Sequence, residues 1–157
     1  MEDRKAIVLR KLERVREELL ALVGDVDEAA WERRVFSESD EWLVSDLFRH
    51  IVDAEAGMTG LIKNIRDGGT GVPPDFDLVR WNASQVKKTK EKSIDDLTAD
   101  LVKNRAKLLD VVETLEEEDW DKKGRHASLI IMTIEEVLHR IADHESEHTE
   151  DIRRALA

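Results

Sequence analysis

Two histidines one helical turn apart, His144 and His148, stand in the run HESEH of this 157-residue chain. The run fits H-E-x-x-H, the helical pattern in which two imidazoles bind zinc and the glutamate acts as general base of a metalloprotease. Residues at i and i+4 leave the same face of a helix, so both rings can reach one ion. At about 100° per residue, Ile134, Val137, Leu138, Ile141, Ile152 and Leu156 form one apolar stripe. His148 and Glu145 fall inside that stripe, His144 lies on its edge, and His139 points to the opposite side. A buried imidazole or carboxylate without a partner costs roughly several kcal/mol, so three polar groups on an apolar face need a reason. A frayed helix end is one; a ligand set is another. Ile152, Ala155 and Leu156 carry the stripe past the histidines, which favours a face that is still buried.

Ligand arithmetic separates the two uses of the motif. A protease of this type takes its third ligand from downstream, and only TEDIRRALA follows His148. An upstream ligand is needed instead, and His50 is the best candidate, because it flanks the apolar stripe of an earlier helix. Three neutral imidazoles plus an open position suit a catalytic zinc, or nickel or iron in the divalent state. Ligands carried on facing helices are an established way to build metal sites in bundles. Glu145 then drops out as general base and is left as an acceptor for an imidazole N–H.

The elements that must position these rings are helices. The first is expected over about Arg4–Val23, with Ile7, Leu12, Val15, Leu19, Leu20 and Val23 recurring at helical spacing and Gly24 as a stop. An irregular stretch follows, whose Trp31, Phe36 and Trp42 are expected to pack over one end of the bundle. The second helix is expected over Leu43–Arg66, with Val44, Leu47, Ile51, Ala54, Met58, Leu61 and Ile65 on one stripe. It ends at DGGTGVPP, a loop whose flexibility suits the rim of a pocket. A third helix begins near Phe76 or Asp77. Ser93 with Asp96 three residues on reads as an aspartate variant of the capping box, and either breaks or kinks the run. A further helix spans Ile94 to about Leu115, on Leu97, Leu101, Leu108 and Val112. EEEDWDKKGRHASL reads as a second loop. Thr133 and Glu136 form a capping box that opens the last helix, expected from Thr133 to about Ala155. No alternating run reads as a strand. The expected fold is all-α, a bundle of four main helices with up-down-down-up or up-down-up-down connectivity, in one domain over residues 1–157.

Composition limits the partners. Charged residues make up 39% and hydrophobic residues 41%, with 7 Gly and 2 Pro, which is a helix-rich balance. The net charge of −11 disfavours nucleic acid and anionic membrane surfaces. No stretch approaches the ~18 apolar residues of a membrane-spanning helix, and no signal-peptide run opens the chain. A cytoplasmic location is the expectation. Cysteine is absent, so thiolate ligands, disulfides and a cysteine nucleophile are excluded.

Three segments together resemble a known family. WLVSDLFRH ending at His50, DFDLVRWN ending at Asn82, and TIEEVLHRIADHESEH from Thr133 to His148 occur in the order and at about the spacing of the DinB/YfiT-like superfamily. That superfamily includes metalloenzymes, thiol-dependent S-transferases and the mycothiol-dependent maleylpyruvate isomerases. The resemblance spans roughly residues 5 to 156. It implies an antiparallel four-helix bundle, often a homodimer, whose metal is held at the positions of His50, His144 and His148. One departure is Leu43, where members often place a Ser or Thr helix cap. The resemblance also implies a substrate pocket near the start of the third helix, with Arg80, Trp81 and Asn82 as candidates to line it. Two have a structural alternative: Trp81 as core, Arg80 as a surface ion-pair partner. His126, in the GRHAS loop, is either a solvated loop histidine or a fourth ligand or gate.

Such a site would make water or a bound thiol nucleophilic near neutral pH. With no cysteine, the thiol must be a low-molecular-weight cosubstrate. The expected function is a metal-dependent transferase, hydrolase or isomerase acting on a small molecule. The alternatives are a stress-linked bundle that binds metal or a small ligand without turnover, and an interaction bundle with an accidental histidine cluster.

Overall fold

A computed structural model describes residues 3–35 and 42–157 of the chain. The expectation for Phe36 lies outside the described residues. Five α-helices dominate: α1 (Arg4–Gly24), α2 (Val44–Arg66), α3 (Leu78–Lys88), α4 (Ile94–Glu113) and α5 (Ile134–Leu156). The chain divides into two compact units. One is Met1–Ile51 with His139–Ala157, and the other is Val52–Leu138.

In the first unit, α1 opens on Asp3, whose side chain accepts from the Lys5 N–H. Its buried stripe is Val8, Leu12, Val15 and Leu19. The expected stripe is corrected here, because Ile7 and Leu20 are 38% and 40% exposed. The 4-3-4 spacing from Val8 turns both off the inward face. Gly24 is the last helical residue, and Asp25 caps the end by donating its N–H to the Leu22 carbonyl at 3.0 Å. Leu43 has no capping side chain, and α2 starts one residue later than expected. Asp46 supplies half of a capping box instead, its Oδ2 accepting from the Leu43 N–H at 3.0 Å. Trp31 is buried with its ring 5.4 Å from that of Phe48. Arg33 donates to the Leu156 carbonyl at 3.2 Å, which satisfies an orphan acceptor at the end of α5.

In the second unit, Asp77 caps α3 by accepting from the Arg80 N–H at 3.1 Å. Ser93 breaks the run rather than kinking it. The Ser93 hydroxyl accepts from the Asp96 N–H and the Asp96 carboxylate accepts from the Ser93 N–H, so a new helix starts. The expected α4 stripe is fully buried at Leu97, Leu101, Leu108 and Val112. The Thr133–Glu136 capping box forms in both directions at 3.0 and 3.1 Å.

Two short strands correct the expectation that none exist. β1 (Lys123–Arg125) pairs antiparallel with β2 (Ile131–Thr133). Three residues are too few for alternation to register in a sequence, and the hairpin lies within the stretch expected as loop. Its turn places Leu129 at φ 73°, in the left-handed region. The DGGTGVPP segment is tied to this hairpin rather than loose. Gly71 bridges Arg125, and the Val72 N–H donates to the Arg125 carbonyl at 2.9 Å. Gly71 has φ +89°, and a Cβ there would lie 2.3 Å from Arg125 backbone atoms, so only glycine fits.

Candidate metal centre

α2 brings His50 and α5 brings His144 and His148, all within the first unit. Ile51 on α2, and Ile141, Ala142 and Ile152 on α5, are 0–2% exposed and fix the registers of the two helices. His50 and His148 are each 4% exposed, and His144 is half-buried. The frayed-end reading fails, because α5 runs on to Leu156 and Ile152 is fully buried beyond the pair.

The rings stand edge-on to one another. His144 and His148 have centroids 4.4 Å apart at 87°, His50 and His144 4.8 Å apart at 71°, and His50 and His148 5.2 Å apart at 73°. The Nε2 atoms of His50 and His144 approach to 2.9 Å. One nitrogen from each ring can be chosen so that all three lie within 4.8 Å of one another. Nitrogens bound to one zinc at 2.0–2.1 Å lie about 3.3 Å apart in tetrahedral geometry, so small ring rotations suffice. The donor set therefore fits a divalent ion of imidazole-preferring type. The Trp42 ring lies 5.4 Å from that of His50 and adds an apolar neighbour.

The polar groups around the rings are partnered. His148 Nδ1 lies 3.0 Å from Asp151 Oδ2. Glu145, 2% exposed, accepts from Arg16 of α1 through both oxygens, from Nε and from Nη2, each at 3.0 Å. A carboxylate held by a guanidinium fork is a poor general base, which weighs further against a protease. His139 points away from the trio, with its Nδ1 3.2 Å from Lys11 Nζ.

Sequence reasoning missed Arg16 and Asp151. Arg16 sits one turn after Leu12 and three residues before Leu19, so its place on the buried stripe was readable. A lone cation there requires a partner. Asp151, three residues after His148, was readable as a same-face carboxylate.

The four remaining candidates belong to the second unit. Arg80 is exposed. Trp81 is 44% exposed, which corrects its reading as core, and its ring lies 5.8 Å from that of Phe76. Asn82 is 8% exposed and His126 is 7% exposed. The expectation of a solvated loop histidine is thereby corrected: His126 is buried within the hairpin turn, and its Nδ1 accepts from the Ser128 N–H at 3.0 Å.

The sequence profile of the DinB superfamily matches residues 6–152. No match is found among the curated proteins. YfiT from Bacillus subtilis, described as "a probable metal-dependent hydrolase with an unusual four-helix bundle topology", superposes with a TM-score of 0.77 at 19% identity. That match covers 96% of this chain and 85% of YfiT. TT2238, described as a four-helix bundle protein, gives 0.69 at 19% identity, covering 96% and 98%. The mycothiol-dependent maleylpyruvate isomerase gives 0.79 at 15% identity, covering 97% of this chain. The chain spans only 63% of that enzyme. These likenesses establish the fold class, an all-α four-helix bundle, as expected.

Proposed function

Because this chain belongs to the DinB superfamily, we propose that it is a metal-dependent enzyme acting on a small molecule, with His50, His144 and His148 as the ligands of one divalent ion. The convergence of three imidazole rings, two of them buried, carries this reading. Zinc is the first choice of metal, and nickel or iron would suit the same donors. When bound, the ion supplies Lewis acidity that makes water or a thiol nucleophilic near neutral pH. The chain's own residues contribute positioning. α5 sets two rings on adjacent turns, Ile141, Ala142 and Ile152 hold the helix register, and the Arg16 guanidinium neutralises Glu145 beside them.

The reaction is transfer, hydrolysis or isomerisation. YfiT's description as "a probable metal-dependent hydrolase" and the thiol dependence in the isomerase's name support that range. Lacking cysteine, this chain would use a low-molecular-weight thiol as cosubstrate in any thiol chemistry. Among the α3 candidates, Asn82 has the neutral, buried amide that suits recognition of a polar substrate. A homodimer in the cytoplasm, built from a single domain, completes the reading. Among the described residues, no helix is long and apolar enough to cross a membrane.

Metal content by elemental mass spectrometry tests the proposal on the untagged protein. The wild type is expected to hold about one divalent ion per chain, and His50→Ala and His144→Ala to lose it. Zinc at a hundred times its Kd should also stabilise the wild type by about 2.7 kcal/mol against thermal unfolding. Consumption of electrophilic substrates that needs both metal and added thiol would establish the enzyme. Absence of metal from the wild type after reconstitution would sink the reading.

A further inference from the structure

We propose that Asp151 is a positioning residue for the metal centre, fixing the His148 ring so that Nε2 is the nitrogen offered to the ion. The inference rests on the metal-binding reading above. The observation is the 3.0 Å approach of His148 Nδ1 to Asp151 Oδ2. A carboxylate can only accept, so Nδ1 carries the hydrogen and donates. The ring is then held as the tautomer whose lone pair sits on Nε2. His50 and His144 already face each other through Nε2, so all three rings would present the same atom. A carboxylate behind a ligating imidazole also restrains the ring's rotation.

The helix makes this arrangement nearly automatic. Asp151 lies three residues after His148 on α5, within reach on the same face. The His148 side chain is 6% exposed and that of Asp151 18%, so the bond is largely shielded from water. The other carboxylate oxygen, Oδ1, faces Arg154 Nη2, whose side chain is 72% exposed. Such an exposed partner is screened and contributes little. The work of orientation therefore falls on Asp151 and not on Arg154.

The test is zinc affinity, measured by competition with a chromophoric chelator on the full chain for wild type, Asp151→Ala, Asp151→Asn and Arg154→Ala. Asp151→Ala is expected to bind zinc roughly 10- to 100-fold more weakly. Asp151→Asn should fall between it and the wild type, because its amide oxygen still accepts from Nδ1–H. Arg154→Ala should stay within about threefold of the wild type. Nitrogen-15 spectra of the metal-stripped protein provide a second readout that does not depend on the variants folding. The His148 ring should carry its proton on Nδ1 in the wild type. Equal zinc affinity in wild type and Asp151→Ala, or an Nε2-protonated ring in the wild type, would overturn the inference while leaving the metal site intact. A wild type that binds no zinc would remove the metal site, and this inference with it.

Discussion

Two buried arginine–glutamate pairs, one in each unit, are built alike. In the first unit Glu145 of α5 meets Arg16 of α1; in the second, Glu55 of α2 meets Arg105 of α4, with contacts of 2.7 and 2.8 Å. Each glutamate is followed four residues later by a threonine, and each threonine hydroxyl donates to the glutamate's carbonyl, at 2.7 Å for Thr149 and 2.8 Å for Thr59. The surroundings differ. Glu145 stands between His144 and His148, whereas Glu55 stands among Ala54, Ala56 and Met58. An inward-facing carboxylate is thus a recurring packing solution in this protein and does not by itself mark a site. On the proposed reading the imidazoles mark it, while the Arg16 fork gives the glutamate of the H-E-x-x-H run a packing partner.

If both pairs are scaffold, breaking either should hurt the fold to a similar degree. Arg16→Ala and Arg105→Ala are each expected to lower stability by about 3–5 kcal/mol in urea denaturation, because each takes the guanidinium away from a buried carboxylate. A loss under 1 kcal/mol at either position would show that its glutamate finds water, and the likeness would fail.

Replacing a whole pair should do far less. Arg105→Met with Glu55→Leu, and Arg16→Met with Glu145→Leu, are each expected to stay within about 1 kcal/mol of the wild type or above it. Zinc affinity sharpens the comparison. Both double variants should bind zinc within about threefold of the wild type. A tenfold loss confined to the Arg16/Glu145 variant would return Glu145 to the metal site, as an acceptor for an imidazole N–H.

The smallest effect concerns Asp53, two residues before Glu55. Burial raises its carboxyl above the usual range, and Lys88 offsets this only in part. A carboxyl raised in the fold contributes stability that is fully present below its unfolded value and is lost as pH rises through the folded one. At neutral pH the charged form is a burden. Asp53→Asn is therefore expected to raise stability at pH 7 by less than ~0.5 kcal/mol, with the gain fading as the pH falls through the raised value and absent below the ordinary aspartate range. A pH-independent gain would point to packing rather than charge.

Much of this was legible because helical periodicity is a strong signal. The α4 stripe, both capping boxes and the break at DGGTGVPP could all be read from residue spacing. So could the trio itself, with His148 inside the α5 stripe and His144 at its edge, as their burial now reflects. What escaped was set by tertiary partners. Ile7 and Leu20 look as apolar as Leu12, and only the register of the inward face separates them. A three-residue hairpin carries too little pattern to be seen. Arg16 was readable as a cation on the buried stripe, but its partner, 129 residues away, was not; Asp151, three residues from His148, was legible and overlooked.

The unit that carries the imidazoles is discontinuous in sequence, and that bears on how the molecule assembles. His50 and His144 are 94 residues apart and Arg16 and Glu145 are 129 apart, against 50 for Glu55 and Arg105. Closing longer loops costs more chain entropy, and distant contacts form slowly. The continuous Val52–Leu138 segment is expected to gather first, with α4 amides gaining protection in pulse-labelled exchange before those of the last turns of α5. On the proposed metal-binding reading, a chain halted before α5 would own one ligand of three. Capacity to retain an ion would then report completed folding, a kinetic checkpoint written into the order of the helices.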